Sequence, residues 1–87
     1  MAKYSLVFKK SVYKDLKPIP AADVKRILLR IDALADEPRR TSCEKLSGQE
    51  RYRVRQGVYR IIYEIVDDRL IVTVIKIAHR RDVYDRL

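Results

Sequence analysis

The sequence predicts an α+β fold: an N-terminal strand and a helical hairpin, then a three-stranded antiparallel meander, with the helices packed on one face of the sheet. Three observations predict it. Apolar residues follow a helical period in the first half of the chain, they follow a strand pattern in the second half, and glycine and proline are scarce. Because the chain has 87 residues, we expect a single domain over residues 1–87.

The N-terminal segment predicts one strand and one short helix. Residues 4–8 are rich in β-forming side chains and predict the strand. Phe8, Val12 and Leu16 then recur at a helical spacing. This helix must end before Pro18, because proline lacks a backbone donor and restricts the residue that precedes it.

A second helix is predicted by an apolar stripe that ends before Pro38. The stripe consists of Val24, Ile27, Leu28, Ile31, Leu34 and Ala35. Two helices joined by a short proline-containing turn make a helical hairpin with one apolar face. The following sheet can supply the surface that buries this face.

The second half predicts a loop and three strands. Residues 39–50 are polar and predict the loop, and strands are predicted over 51–55, 58–66 and 69–77. Gln56 and Gly57 predict the first turn, and Asp67 and Asp68 predict the second.

One face of the predicted hairpin gathers arginines. With the turn at Gln56 and Gly57, Arg53 would face Arg60, and the face would carry Arg51, Arg53, Arg55 and Arg60. Like charges opposed on a sheet are unfavourable unless an anion lies between them, and the arginine fork matches a phosphate. A basic face without a ligand is the alternative; the net charge of +8 favours a polyanion such as nucleic acid.

The C-terminal segment adds an imidazole and a phenol to this charge. His79 is followed by Arg80 and Arg81, whose charges would keep the ring neutral and able to accept a proton. A surface histidine in a basic turn is the alternative. Tyr84 could stack on a base, so we expect single-stranded RNA rather than a DNA groove.

Several other classes are excluded by composition. Cys43 is the only cysteine and His79 the only histidine, which excludes an internal disulfide and a closed Cys/His zinc site. We expect no metal and no small-molecule cofactor. The N-terminus has no apolar targeting segment and no run is long enough to span a bilayer, so we expect a cytoplasmic protein with no membrane partner.

Three segments resemble the RelE branch of the RelE/ParE toxin superfamily. They are Lys45-Leu46-Ser47-Gly48, the stretch from Tyr52 to Tyr63 with the pattern Y-R-x-R-x-G-x-Y-R-x-x-Y, and the ending H-R-R-D-V-Y from His79 to Tyr84. The resemblance implies a toxin of a type II toxin–antitoxin system. Its activity would be metal-independent endoribonuclease cleavage of mRNA in the ribosomal A site, which inhibits translation and leaves a 2′,3′-cyclic phosphate and a 5′-hydroxyl.

The resemblance also implies roles for residues and a partner. The catalytic candidates are Arg60, Arg80, Tyr84 and His79, and the RNA-binding candidates are Arg51, Arg53, Arg55 and Arg81. Arg60 and Arg80 match the family's phosphate-binding arginines, and Tyr84 matches the tyrosine that positions the RNA. A RelB-like antitoxin is the expected partner. Leu29, Ile71 and Ile75 could contact it, although we favour core positions for all three.

One departure from the family leaves the proton acceptor open. Arg53 and Arg55 stand where the best-known members have lysines, and arginine effectively cannot lose a proton. These cations serve only electrostatically, or His79 takes the proton; Glu50 is a weaker candidate.

Three other functions stay open. They are a ParE-like toxin that poisons DNA gyrase without nuclease activity, an RNA-binding module without activity, and a degenerate toxin that acts only as an antitoxin partner and co-repressor. The presence of Arg80 and Tyr84 favours the nuclease.

Overall fold

The computed structural model describes residues 3–39, 43–46 and 51–79. In chain order the elements are β1 (Ser5–Phe8), α1 (Lys10–Leu16), α2 (Ala21–Asp36), β2 (Glu44–Lys45), β3 (Arg51–Gln56), β4 (Tyr59–Val66), a 3-10 turn (Asp67–Arg69) and β5 (Ile71–His79). Among these residues, no helix is long and apolar enough to cross a membrane.

The strands form one mixed sheet of five strands in the order β1-β5-β4-β3-β2. β1 is parallel to β5, and the other neighbouring pairs are antiparallel. The predicted α+β arrangement and the β3-β4-β5 meander are confirmed. The loop predicted for residues 39–50 was wrong in part, because Glu44–Lys45 pairs with β3 as an edge strand.

Helix α2 covers the sheet with most of the predicted apolar stripe, but Leu28, which was predicted to belong to it, is 39% exposed. Ile27, Ile31 and Leu34 are buried against a core that the sheet completes, together with Val12 of α1. The core position favoured for Leu29 was wrong, since this side chain is 61% exposed. It lies two residues from Ile27, about 200° around the helix, and therefore points away from the sheet.

A β-bulge explains why both faces of β5 are apolar in sequence. Ile62 pairs with Lys76 but Tyr63 pairs with Val74, which leaves Ile75 as an extra residue in β5. The bulge shifts the alternation by one position, so residues on both sides of it can face the helices.

Where β1 ends, helix α1 lies beside the edge of β5 and supplies a hydrogen-bond acceptor to it. The amide of Lys9 donates to the carbonyl of Val74 at 3.0 Å, at the end of β1. Further along β5, the Oδ2 atom of Asp15 accepts the amide hydrogen of Ile77 at 3.1 Å, and its Oδ1 atom lies 3.3 Å from Nζ of Lys76. The carboxylate thus replaces the missing strand neighbour.

A cluster of polar side chains forms at the turn between β4 and β5. Arg39, just after α2, donates two hydrogen bonds to Asp67 at 2.9 and 2.8 Å and a third to the Tyr52 hydroxyl at 3.1 Å. The Tyr4 hydroxyl donates to Asp67 at 3.0 Å. These bonds tie β1 and the end of α2 to the turn between β4 and β5.

Candidate nucleic-acid interface

The register of the β3–β4 hairpin determines which charged side chains lie opposite one another on the open face of the sheet. Its turn begins at Gly57, whose φ of 61° is easily adopted by glycine. Arg55 therefore pairs with Arg60, and Arg53 pairs with Ile62. The predicted turn one residue earlier was wrong, and so was the pairing of Arg53 with Arg60. The pairing moves by two positions, which keeps each side chain on its predicted face.

The open face is arranged in three rows that run across the strands. Directly opposed residues share a face; the rows are Arg51–Glu64–Thr73, Arg53–Ile62–Lys76 and Arg55–Arg60–Ala78. We call this surface the arginine face and define it by Arg51, Arg53, Arg55 and Arg60. The four predicted arginines therefore lie on one side of the sheet.

The middle row has an apolar centre. Ile62 is only 3% exposed although it lies on the face opposite the helices. Arg53, its direct neighbour, has a side chain that is only 23% exposed. Partial burial lowers the effective dielectric around this guanidinium, which strengthens its attraction for an anion.

A carboxylate that sequence reasoning missed reaches this row from the edge strand. Glu44 pairs with Arg53 in the β2–β3 ladder, and its Oε1 atom accepts a hydrogen bond from Nη2 of Arg53 at 2.7 Å. This bond is the largest cause that lowers the pKa of Glu44, and the charges of Arg55 and Arg60 lower it further. Three of the four arginines of this face therefore contribute to lowering the pKa of the Glu44 carboxyl.

The signal for Glu44 in the sequence is weak. A two-residue strand carries no period that a pattern could reveal. The one clue is that Glu44 is the only acid between Glu37 and Glu50.

The row farthest from the hairpin turn is partly neutralised. Nε of Arg51 lies 3.3 Å from an Oε atom of Glu64, its direct cross-strand partner. Both side chains are about a third exposed. Because Arg53 is also paired with Glu44, the excess positive charge of the four arginines is greatest in the row nearest the turn, at Arg55 and Arg60.

The structure does not bring His79 together with Arg60. His79 pairs with Tyr59, and their rings meet edge to face with centroids 5.6 Å apart. Arg60 pairs with Ala78, the residue before His79. Because successive residues of a strand point to opposite faces, the side chains of His79 and Arg60 lie on opposite faces of the sheet. The imidazole instead borders a cleft of about 500 Å³ on the helix side, together with Lys14 and Asp15 of α1.

Three predicted site residues, Arg80, Arg81 and Tyr84, lie outside the described residues, and so does Glu50, the weaker candidate for the proton acceptor. Over residues 3–39, 43–46 and 51–79, no group of three or more His, Cys, Asp or Glu side chains is placed to hold a metal ion.

The arginine face is suited to an extended phosphodiester. Successive cross-strand rows lie about 6–7 Å apart, close to the spacing between neighbouring phosphates in an extended strand. Guanidinium groups bind phosphate oxygens through two parallel hydrogen bonds. The face therefore offers fixed positive charge where a polyanion can lie across the two rows nearest the turn.

Comparison with known proteins identifies the class. A family profile described as "ParE toxin of type II toxin-antitoxin system, parDE" matches residues 6–84. Toxin RelE3 of Methanocaldococcus jannaschii is 33% identical over 85 residues, which cover 92% of this chain and 94% of that protein.

Solved structures of RelE toxins are also similar to this chain. A chain of the archaeal RelE–RelB complex from Pyrococcus horikoshii matches with a TM-score of 0.80 at 31% identity, over 93% of this chain and 99% of that one. The isolated E. coli RelE toxin, at 22% identity, shares the fold with a TM-score of 0.76 over 87% of this chain and 83% of that one. These matches define a toxin of a type II toxin–antitoxin system. The chain belongs to the RelE family within the RelE/ParE superfamily, which confirms the resemblance found in the sequence.

Proposed function

We propose that this chain is a metal-independent endoribonuclease that enters the ribosomal A site and cleaves the bound mRNA, so that translation stops. The observation that carries the proposal is the gathering of Arg53, Arg55 and Arg60 on one face of the β3–β4 hairpin. Like charges placed opposite one another on a sheet are unfavourable unless an anion lies between them, and this supports a polyanion as the ligand of this face.

The chemistry requires cations in fixed positions. Attack of an RNA 2′-hydroxyl on the adjacent phosphate builds negative charge on the phosphate oxygens, and pre-placed donors aimed at such charge usually make the largest contribution to catalysis. Arg60 lies in the row nearest the turn, beside Arg55, and would stabilise this charge. Arg51 and Arg53 would bind flanking phosphates.

The C-terminal residues complete the proposed site. By family resemblance Arg80 would bind the same phosphate as Arg60, Tyr84 would position the RNA, and Arg81 would add a backbone contact. His79 ends β5 with its ring against Tyr59 on the helix side. We therefore assign it no contact with the scissile phosphate from the described geometry.

A RelB-like antitoxin is the proposed partner. The relative from Pyrococcus horikoshii was crystallised as a RelE–RelB complex. Leu29, exposed on the outer side of α2, offers an apolar contact for such a partner. Ile75 is buried within this chain and is not available for that contact.

A ParE-like activity is the second candidate, because the matching family profile is described as ParE. A toxin of this kind would bind DNA gyrase and leave RNA intact. The arginine face would then serve binding alone, and substitution of Arg60 would weaken the complex without abolishing a chemical step.

The deciding experiment uses the chain freed of its antitoxin and ribosomes stalled on a defined mRNA, with the cut ends mapped. Wild type should cleave in the A-site codon only when ribosomes are present. Arg60→Ala should lower the single-turnover rate by about 10²–10³-fold, the usual cost of removing one transition-state donor. Arg80→Ala should have an effect of the same size.

A matched control separates this effect from the loss of net charge. Arg26→Ala removes one positive charge from the exposed surface of α2 and should cleave like wild type. Intact mRNA at every dose of a folded wild-type sample would contradict the nuclease proposal. Inhibition of gyrase supercoiling by the same sample would then support the ParE-like candidate.

A further inference from the structure

The four guanidinium groups that define the arginine face cannot serve as proton acceptors. RNA cleavage by the 2′-hydroxyl needs a group that takes the hydroxyl proton, and a guanidinium effectively cannot do so. His79, which could, has its ring on the other side of the sheet from Arg60. On the open side of the described sheet, the carboxylates are those of Glu44 and Glu64.

Glu64 is poorly placed for this role. It occupies the same row as Arg51 and lies 3.3 Å from that guanidinium. Along β4 it is four residues from Arg60, or about 13 Å at the usual strand rise. Its carboxylate is therefore held by Arg51 in the row that lies farthest from the Arg55–Arg60 pair.

Glu44 is placed close to the excess positive charge. It pairs with Arg53 in the middle row, one row from the Arg55–Arg60 pair. Arg55, two residues after Arg53 on the same face of β3, and its cross-strand partner Arg60 also lower the pKa of the Glu44 carboxyl. Its side chain is 60% exposed, so a bound substrate can contact it.

We propose that Glu44 is the catalytic proton acceptor and that Arg53 is the residue that positions it. This inference rests on the proposed ribonuclease function. The Glu44 carboxylate removes the proton from the 2′-hydroxyl while the O2′–P bond forms and the P–O5′ bond breaks. The leaving 5′-oxygen takes a proton from water, and the Glu44 carboxyl then returns its own proton to water. The products are a 2′,3′-cyclic phosphate and a 5′-hydroxyl.

The ion pair with Arg53 suits this role in two ways. The 2.7 Å hydrogen bond fixes one carboxylate oxygen and thereby orients the side chain. The carboxyl is also ionised at neutral pH, as glutamate ordinarily is, so the acceptor form is the populated one, and the lowered pKa makes it a weaker base than a free glutamate. The same arginines would hold the phosphate, which brings acceptor and reacting group to one place.

The test substitutes Glu44→Gln, which keeps the shape and removes the acceptor charge. The single-turnover cleavage rate on programmed ribosomes should fall by about 10²-fold or more, the usual contribution of a general base. Binding of an mRNA that carries a 2′-deoxy nucleotide at the cut site should stay equal to wild type or become tighter, because an acid beside the phosphates is gone. Glu44→Asp, which keeps a carboxylate, should retain measurable activity.

Asp23→Asn is the matched control. It also removes one carboxylate charge from an arginine ion pair, at 3.0 Å from Arg26, but on α2 away from the arginine face. It should cleave at the wild-type rate. Thermal unfolding of each variant identifies any sample that is not folded; for Glu44→Gln, the binding of the uncleavable mRNA provides the same check on the site itself.

The pH profile distinguishes Glu44 from an imidazole base. Because the pKa of Glu44 is lowered, its acceptor form persists below the ordinary glutamate range. Wild-type cleavage should therefore stay constant between roughly pH 5.5 and 8, whereas a histidine base would lose rate below its ordinary pKa of about 6.5.

The outcomes are distinct. Cleavage by Glu44→Gln at the wild-type rate or faster, with Arg60→Ala inactive, would overturn the acceptor role and leave the ribonuclease function standing. A wild-type sample that never cleaves would overturn both.

Discussion

Arg55 lies directly opposite Arg60 in the β3–β4 ladder, so two guanidinium side chains start from adjacent positions on one face of the sheet. Opposed residues in an antiparallel pair have Cβ atoms about 4.5–5.5 Å apart, and like charges carried by directly opposed residues are destabilising. The hairpin therefore gives up stability at the place where it gathers positive charge.

Arg55→Gln should relieve this repulsion and raise the free energy of unfolding by about 0.2–1 kcal/mol. The same change should weaken binding of an RNA oligonucleotide and reduce the slope of its salt dependence by about one phosphate contact. Urea unfolding and binding titrations over a range of salt concentrations measure the two effects. Arg26→Gln on α2 serves as control for net charge; a stabilisation of equal size there would mean that the Arg55–Arg60 pairing is not the cause.

Tyr63 holds the chain after α2 to the sheet. Its side chain is fully buried, and its hydroxyl donates to the Pro38 carbonyl at 2.6 Å. Tyr63→Phe should destabilise the protein by about 1–3 kcal/mol, because it leaves a buried carbonyl without its donor. Urea unfolding measures the loss, with Tyr13→Phe as the control because that ring is 59% exposed. An unchanged unfolding midpoint for Tyr63→Phe would show that water replaces the lost bond.

The sequence allowed us to predict which side chains of the β3–β4 hairpin share a face of the sheet, but not which residues pair across its strands. Alternation placed the arginines on one side because a register error of two residues preserves the face of every side chain. It could not place the turn, since Gly57 suits the first position of the turn as well as the second. The pairing of Arg55 with Arg60 therefore became known only from the structure.

Long-range contacts of single residues were beyond prediction. Glu44 reaches the arginine face because a two-residue strand pairs with β3, and Asp15 reaches β5 because β1 is short. Neither contact has a sequence period or a motif. His79 and Arg60 were predicted as members of one catalytic set, but the bulge at Ile75 determines which face each residue of β5 occupies, and no pattern in an apolar run reveals a bulge.

Asp15 is expected to protect the free edge of β5. Its carboxylate accepts the Ile77 amide hydrogen at 3.1 Å, and its side chain is only 16% exposed. Asp15→Ala should lower the free energy of unfolding by about 1 kcal/mol. The amide of Ile77 should also exchange faster with solvent, while that of Val72, next to β1, should keep its protection relative to global unfolding.

Hydrogen exchange followed by NMR measures both amides. Asp32→Ala, which removes an exposed carboxylate from α2, is the control and should change neither rate. Equal acceleration at Ile77 and Val72 in Asp15→Ala would mean that the whole sheet is weakened, and would contradict a local role for this side chain.

Asp67 should make stability depend on pH in the acid range. The two hydrogen bonds from Arg39, followed by the bond from the Tyr4 hydroxyl, lower the pKa of this carboxyl in the folded state. A lowered folded pKa means that the unfolded chain binds the proton more readily. The stabilisation is therefore present above the unfolded value of about 3.9 and is lost as pH falls through the lower folded value.

Asp67→Asn removes this titration. The difference in Tm between wild type and Asp67→Asn should be largest above about pH 5 and should shrink as the pH falls toward about 2, with the wild type more stable throughout the upper range. Asp68→Asn, at the next position, is the matched control for the loss of one carboxylate. A difference that stayed constant with pH would show that the Arg39–Asp67 contact stabilises the protein equally in either protonation state, and that its charge contributes nothing.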